Sequence, residues 1–191
     1  MEEEELEKIS REIKKCERCP LHKSRINAVP GEGSIERRIM IIGEAPGYNE
    51  DREGRPFVGK AGKLLEEFLK GIGIKREEVY ITNVVKCRPP NNRQPEYMEI
   101  KVCSFYLEKQ IEIIKPKLII CLGNISTSYI FQKFSLKFES MNKSHGKVFS
   151  VSNFKVQAKI IATYHPAAIL RNPSLISFAK EDWEKIGELI V

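Results

Sequence analysis

The chain has 191 residues, 41% of them hydrophobic and 30% charged, with 32 Lys and Arg against 26 Asp and Glu. This composition excludes a disordered, collagen-like or coiled-coil chain, and the length suits one domain spanning residues 1–191 with a core of its own. The net charge of +6 and pI near 9.0 fit a polyanionic partner, nucleic acid first.

The first predicted element is an amphipathic helix over residues 3–15, with Leu6, Ile9 and Ile13 at helical spacing. Residues 38–42 form a short apolar strand ended by Gly43. Residues 60–70 place Leu64, Leu65, Phe68 and Leu69 on one helical face, closed by Gly71 and Gly73. A second strand follows at 79–85 and a long helix at 95–114, opened by Pro95 and stopped by Pro116. A third strand at 117–122 leads into a helix near 124–131. Residues 134–153 read as irregular and polar. A fourth strand at 155–163 and a helix at 175–190 complete the chain. Strands alternating with helices predict a parallel sheet covered on both faces. The apolar runs at 118–123 and 160–162 are far too short to span a membrane, and the acidic start is unlike a secretory leader. An intracellular, cytoplasmic protein associated with the nucleoid and free of membrane contact is expected.

Cysteine usage carries the next signal. Without an export signal, disulfides are a poor reading of Cys16, Cys19, Cys87, Cys103 and Cys121. Cys121 lies in an apolar strand and reads as a buried thiol. Cys16 and Cys19 form a C-x2-C clamp, and with Cys87 and Cys103 supply four thiolates, enough for zinc or an iron–sulfur cluster.

The polar residues gather where strands end. The first strand runs into Gly43-Glu44-Ala45-Pro46-Gly47. The second carries Asn83 and runs into Lys86-Cys87-Arg88-Pro89-Pro90-Asn91-Asn92-Arg93, and the last runs into Tyr164-His165-Pro166. Open parallel sheets bind ligands beyond the carboxyl ends of their strands. The segment Gly54-Arg55-Pro56-Phe57-Val58-Gly59-Lys60-Ala61 mimics a phosphate loop, but Ala61 offers no hydroxyl to Mg²⁺ and Pro56 no amide. No G-x-S-x-G elbow is present. Asn83 is either a satisfied strand-end amide or a reader of a base edge, since a carboxamide donates and accepts side by side. Phe57, in a polar loop, is a candidate stacking platform. His165 is a candidate acid, base or hydrogen-bond donor.

These motifs, together with Pro56-Phe57-Val58-Gly59, Thr82-Asn83-Val84-Val85 and His165-Pro166-Ala167-Ala168, resemble the family 4 uracil-DNA glycosylases over about residues 11 to 175. Glu44 favours family 4 over the related family 5. The resemblance implies a three-layer α/β/α fold with a central four-stranded, mainly parallel sheet. It also implies a [4Fe–4S] cluster on Cys16, Cys19, Cys87 and Cys103, pinning the first helix to the loop after the second strand and to the long helix. The implied substrate is uracil in single- or double-stranded DNA, acted on by a monomer that flips the base out and releases free uracil. Asn83 then reads the uracil edge, Phe57 stacks on the ring, backbone around Gly43 and Ala45 meets O2, and His165 donates to the departing base. Glu44, Glu50 and Asn92 are the candidates for orienting water, because Ala45 stands where family 1 enzymes carry an aspartate. Gly47 stands where they carry the aromatic residue that excludes thymine. Arg88, Arg93 and Arg171 are expected to meet phosphates, and Leu170 or Arg171, in a loop over 165–173, to fill the vacated stack. The competing reading is a non-catalytic nucleic-acid-binding module with a structural four-cysteine metal site, which leaves the polar residues at the strand ends as coincidence.

Overall fold

The computed structural model describes residues 1–153 and 155–190. Every residue is buried in β1 (Ile39–Gly43), β2 (Tyr80–Asn83) and β3 (Leu118–Leu122), the pattern of strands covered on both faces. With β4 (Val148–Ser152) and β5 (Gln157–Thr163) they form one sheet in the order β2-β1-β3-β5-β4. All pairings are parallel except β4 against β5. The long helices α1 (Glu2–Lys14), α3 (Lys60–Gly71), α4 (Tyr97–Ile114), α5 (Gly123–Lys133) and α8 (Ile176–Ile190) flank the sheet, giving the expected layered α/β architecture. Three short helices join them: α2 (Tyr48–Glu53), α6 (Met141–Ser144) and α7 (Pro166–Arg171). Among the described residues, no helix is long and apolar enough to cross a membrane.

The sheet has five strands where four were expected. The added strand, β4, falls in the stretch read as irregular. Its sequence Val-Phe-Ser-Val-Ser alternates, but serines fill the solvent face and Val148 is exposed, so little composition marks it. It is an edge strand anchored by Phe149, whose ring meets Phe131 edge-on at 5.1 Å. Residues 166–171, expected as loop, form α7. Pro166 suits a first helical turn, where its missing N–H is not needed, and His165 caps the helix.

The chain winds from β1 outward to β2 on one side and from β3 to β5 on the other. The reversal lies between β1 and β3, so the crevice opens past Gly43 and Leu122. Two further contacts hold α3 in place. Phe68 of α3 stacks on Trp183 of α8, with centroids 5.5 Å apart. Near the start of α3, Gly62 lies against the backbone of Phe57: a Cβ there would sit 1.9 Å from the Phe57 carbonyl oxygen. Gly62→Ala is therefore expected to destabilise the fold by about 2–4 kcal/mol, read as a lowered urea midpoint. An unchanged midpoint would show that α3 and the Phe57 loop separate at no cost.

Candidate active site

The β1–β2 register sets Gly43 opposite Asn83. A side chain on Gly43 would collide with both neighbours: its Cβ would lie 2.4 Å from Asn83 Oδ1 and 2.7 Å from Phe57 Cζ. Gly43 thus forms the floor on which the Asn83 amide and the Phe57 ring rest. Asn83 is buried, and its Oδ1 has no hydrogen-bond partner. An unpaired buried acceptor costs about 1–3 kcal/mol, so it marks a position held ready for a donor. Phe57 is also buried and holds a positive φ of 50°, a strained backbone for an aromatic residue. Arg76 holds that shape. Its guanidinium donates to the carbonyls of Pro56 and Phe57 and pairs with Glu32 and Glu66.

The Phe57 ring stacks on His165, with centroids 5.5 Å apart and planes inclined by 30°. His165 caps α7 by accepting the Ala167 N–H at Nδ1, 3.0 Å away. That bond fixes the tautomer: Nδ1 is the acceptor, and the proton of the neutral ring sits on Nε2. Burial first, and then the positive charge of Arg171, lower the His165 pKa to about 4. At neutral pH the ring is therefore an uncharged N–H donor.

A cavity of about 410 Å³ lies over these groups, at the ends of the parallel strands. Of the residues singled out from sequence, it is lined by Glu44, Ala45, Glu50, Phe57, Asn83, Asn92, Arg93, His165 and Arg171. Gly43 lies beneath it. Arg88 and Leu170 are not in its wall. Burial raises the Glu44 pKa, with Arg171 acting against it. Glu50 has its carboxylate over Gly47, with Oε2 3.2 Å from where a Cβ would be. Arg88 donates through Nε to Asn92 Oδ1 at 2.7 Å and packs over the Tyr48 ring at 5.3 Å. Asn91 and Asn92 both hold left-handed backbone, φ 57° and 55°, so Arg88 steadies a strained turn. Arg93 forms a two-point pair with Glu99 at 2.7 and 2.9 Å. Arg88 and Arg93 are thus half-exposed and engaged with neighbouring side chains, whereas Arg171 is exposed beside the cavity.

Residues 30–187 match the family model of the uracil DNA glycosylase superfamily. The chain is 50% identical over 186 residues to a type-4 uracil-DNA glycosylase of Archaeoglobus fulgidus, covering 97% of this chain and 94% of that protein. It is 54% identical over 187 residues to the type-4 enzyme of Sulfurisphaera tokodaii, covering 97% and 85%. The chain belongs to the type-4 uracil-DNA glycosylases. The type-4 enzyme of Thermotoga maritima is 47% identical over 190 residues, covering 98% of this chain and 96% of that protein.

In this type-4 chain, Cys16, Cys19, Cys87 and Cys103 line a second, smaller cavity between α1, α4 and the loop after β2. All four are free thiols and sense one another electrostatically. Burial raises the pKa of Cys19 and Cys87 and lifts Cys103 to about 12. Two donors face the sulfurs: Arg25 Nη1 reaches Cys87 Sγ at 3.0 Å and the Lys86 amide reaches Cys103 Sγ at 3.2 Å. Among the described residues, no three His, Cys, Asp or Glu side chains form a group that could hold a metal ion. Cys121 is buried in β3, apart from this cavity.

Sequence reasoning missed Arg76, Gly62, Arg25 and Lys86. Arg76 and Gly62 lie outside every motif and act through contacts distant in sequence. Lys86 did leave a trace, since Val84-Val85-Lys86-Cys87 places one lysine in an apolar run. The lowered His165 pKa has a direct consequence. The unfolded chain binds a proton near pH 6.5 that the folded chain refuses until about pH 4, so stability is lost as pH falls through that window, by about 3 kcal/mol at most. Thermal midpoints measured from pH 7 to pH 4 should fall, and His165→Gln should flatten part of that fall. An unaltered pH dependence in the variant would contradict the buried neutral ring.

Proposed function

We propose that the chain excises uracil from DNA by hydrolysing the N-glycosidic bond of an extruded deoxyuridine, releasing free uracil and leaving an abasic site. The observation that carries this reading is the unpaired, buried Oδ1 of Asn83 beside Phe57, in a cavity at the strand ends of a type-4 chain. Uracil presents an N3–H donor beside an O4 acceptor. The Asn83 carbonyl oxygen would take N3–H and its NH₂ would donate to O4. Cytosine reverses that pair and would leave both groups opposed, which gives discrimination of about 1–3 kcal/mol per mismatched group. Phe57 would hold one face of the ring, and backbone around Gly43 and Ala45 would meet O2.

In the chemical step the C1′–N1 bond breaks and its electron pair leaves with uracil, while C1′ gathers positive charge. The neutral His165 Nε2–H is suited to donate to O2 as negative charge grows there, a preorganised dipole and not a proton source. Water then bonds to C1′, and its proton ends on uracil N1. A group that orients water must accept a hydrogen bond. Glu50 fits best, since its carboxylate has no ion pair among the described residues, whereas Glu44 sits in the field of Arg171. Asn92, its oxygen engaged by Arg88, would present its NH₂ toward the cavity. The Glu50 carboxylate over Gly47 would also crowd a 5-methyl group and so oppose thymine. Extrusion of the base costs a few kcal/mol. Arg171 would meet phosphate, Leu170, exposed on α7, would fill the gap in the stack, and Arg88 and Arg93 would brace the rim instead of gripping DNA. One chain carries all these groups, so a single-domain monomer acting on single- or double-stranded DNA suffices.

The four-cysteine cavity would suit a [4Fe–4S] cluster better than a single metal ion, for which no three such side chains among the described residues are gathered. Its donors are all thiols, it receives N–H groups at two sulfurs, and its ligands ring a space. One zinc ion would need the sulfurs gathered roughly 3.8 Å apart. Bound there, the cluster would cross-link α1, α4 and the loop after β2. The reaction above does not route through it.

Excision is tested with an oligonucleotide carrying one deoxyuridine, followed by alkali, which cuts at abasic sites. Asn83→Ala is expected to lower kcat/KM by about a hundredfold while binding of uracil-free DNA is kept, the loss of two hydrogen bonds. A parallel loss of DNA binding would overturn the base-reading role. Glu50→Gln should lower kcat at least about tenfold more than Glu44→Gln does; the reverse order would move the water to Glu44.

A further inference from the structure

Lys86 is one of the largest side chains to be fully buried among the described residues. Its Nζ reaches Thr82 Oγ1 at 2.6 Å, Gln110 Oε1 at 2.7 Å and the Asn83 carbonyl at 2.8 Å. None of the three has a proton to offer it. The Thr82 hydroxyl donates to the Pro30 carbonyl at 2.8 Å. Gln110 turns its NH₂ to the same carbonyl and to Tyr80 Oη. Asn83 presents a backbone carbonyl. These three acceptors match the three N–H groups of an ammonium, which a neutral amine lacks; burial pulls its pKa down to about 7, and the Cys103 thiol acts the other way.

That cation has no carboxylate partner among the described residues. A buried charge is tolerated only when something compensates it. Among the described residues, the acidic group whose charge acts on it is the Cys103 thiol: Lys86 lines the four-cysteine cavity, and its own amide donates to Cys103 Sγ. We propose that Lys86 is the internal counter-cation of the four-cysteine centre and the positioning residue that ties this centre to Asn83. The inference rests on reading that centre as a cluster site. Four thiolates around an iron–sulfur cluster carry net negative charge, which supplies the missing partner. The same ammonium grips the carbonyl of the residue whose side chain reads the base. Charge in one cavity thereby holds the strand end that lines the other. Arg25 serves the other flank, at Cys87, but it is partly exposed and its charge is screened by solvent.

The test uses the cluster-loaded protein and two variants. Lys86→Met removes the charge and keeps the length. Gln110→Glu keeps Lys86 and places a carboxylate against it. Iron content and visible absorbance of the unaltered protein test the cluster reading by themselves, and a colourless, iron-free protein overturns that reading and the counter-cation with it. Where iron is present, the readout is the cluster midpoint potential. A nearby cation favours the more reduced, more negative form. Both variants are therefore expected to shift the potential negative, with the oxidised-to-reduced ratio at fixed potential rising about tenfold, or ~59 mV for one electron. Lys86→Met should also raise KM for deoxyuridine DNA. An iron-loaded variant with unchanged potential overturns the proposal while leaving the cluster reading intact. If Lys86→Met does not fold, Gln110→Glu alone decides, by the same shift or its absence.

Discussion

Gly43 and Asn83 face each other across the ends of β1 and β2, and the missing side chain at Gly43 is the space from which the rest of the site is built. The Phe57 ring and the Asn83 amide both enter that space. Once there, each is held by distant parts of the chain. Arg76 and Gly62 clamp the strained Phe57 loop, and Lys86 grips the Asn83 carbonyl. Phe57 in turn packs on His165, whose tautomer is set by the first turn of α7. A ligand that is flat, apolar on its faces and polar along its edge is the one this arrangement suits.

The sheet explains why such groups meet at all. Parallel strands point their carboxyl ends one way, and the reversal between β1 and β3 opens a crevice at that edge. Glu44, Asn83 and His165 come from three different strand ends, separated by up to 121 positions in the chain, yet line one cavity. In the proposed reaction the base costs energy to expose, and the cavity would return it through stacking and edge contacts that are paired only when uracil is bound.

Much of this was legible in the sequence for physical reasons. Four apolar runs too short for buried helices, each followed by polar or glycine-rich residues, marked the four parallel strands and their functional ends. The four cysteines were legible because thiols outside apolar runs need a reason. Other features left no local signal. β4 is half-exposed and rich in serine, and α7 begins at a proline that reads equally well as a loop. Arg88 and Arg93 read as free basic residues, because nothing in their neighbourhood shows that Asn92 and Glu99 hold them. Lys86 is the instructive case. A lysine between Val85 and Cys87 is anomalous, but only its three acceptors reveal how its amino group is held.

The central claim is that the strand ends form a slot for one pyrimidine read by Asn83. A crystal structure of the protein soaked with free uracil tests it most directly. The account predicts the ring stacked on Phe57, with Asn83 bridging N3–H and O4 and His165 Nε2 within hydrogen-bond distance of O2. Uracil bound elsewhere, or in the slot with its N3 edge turned away from Asn83, would contradict it.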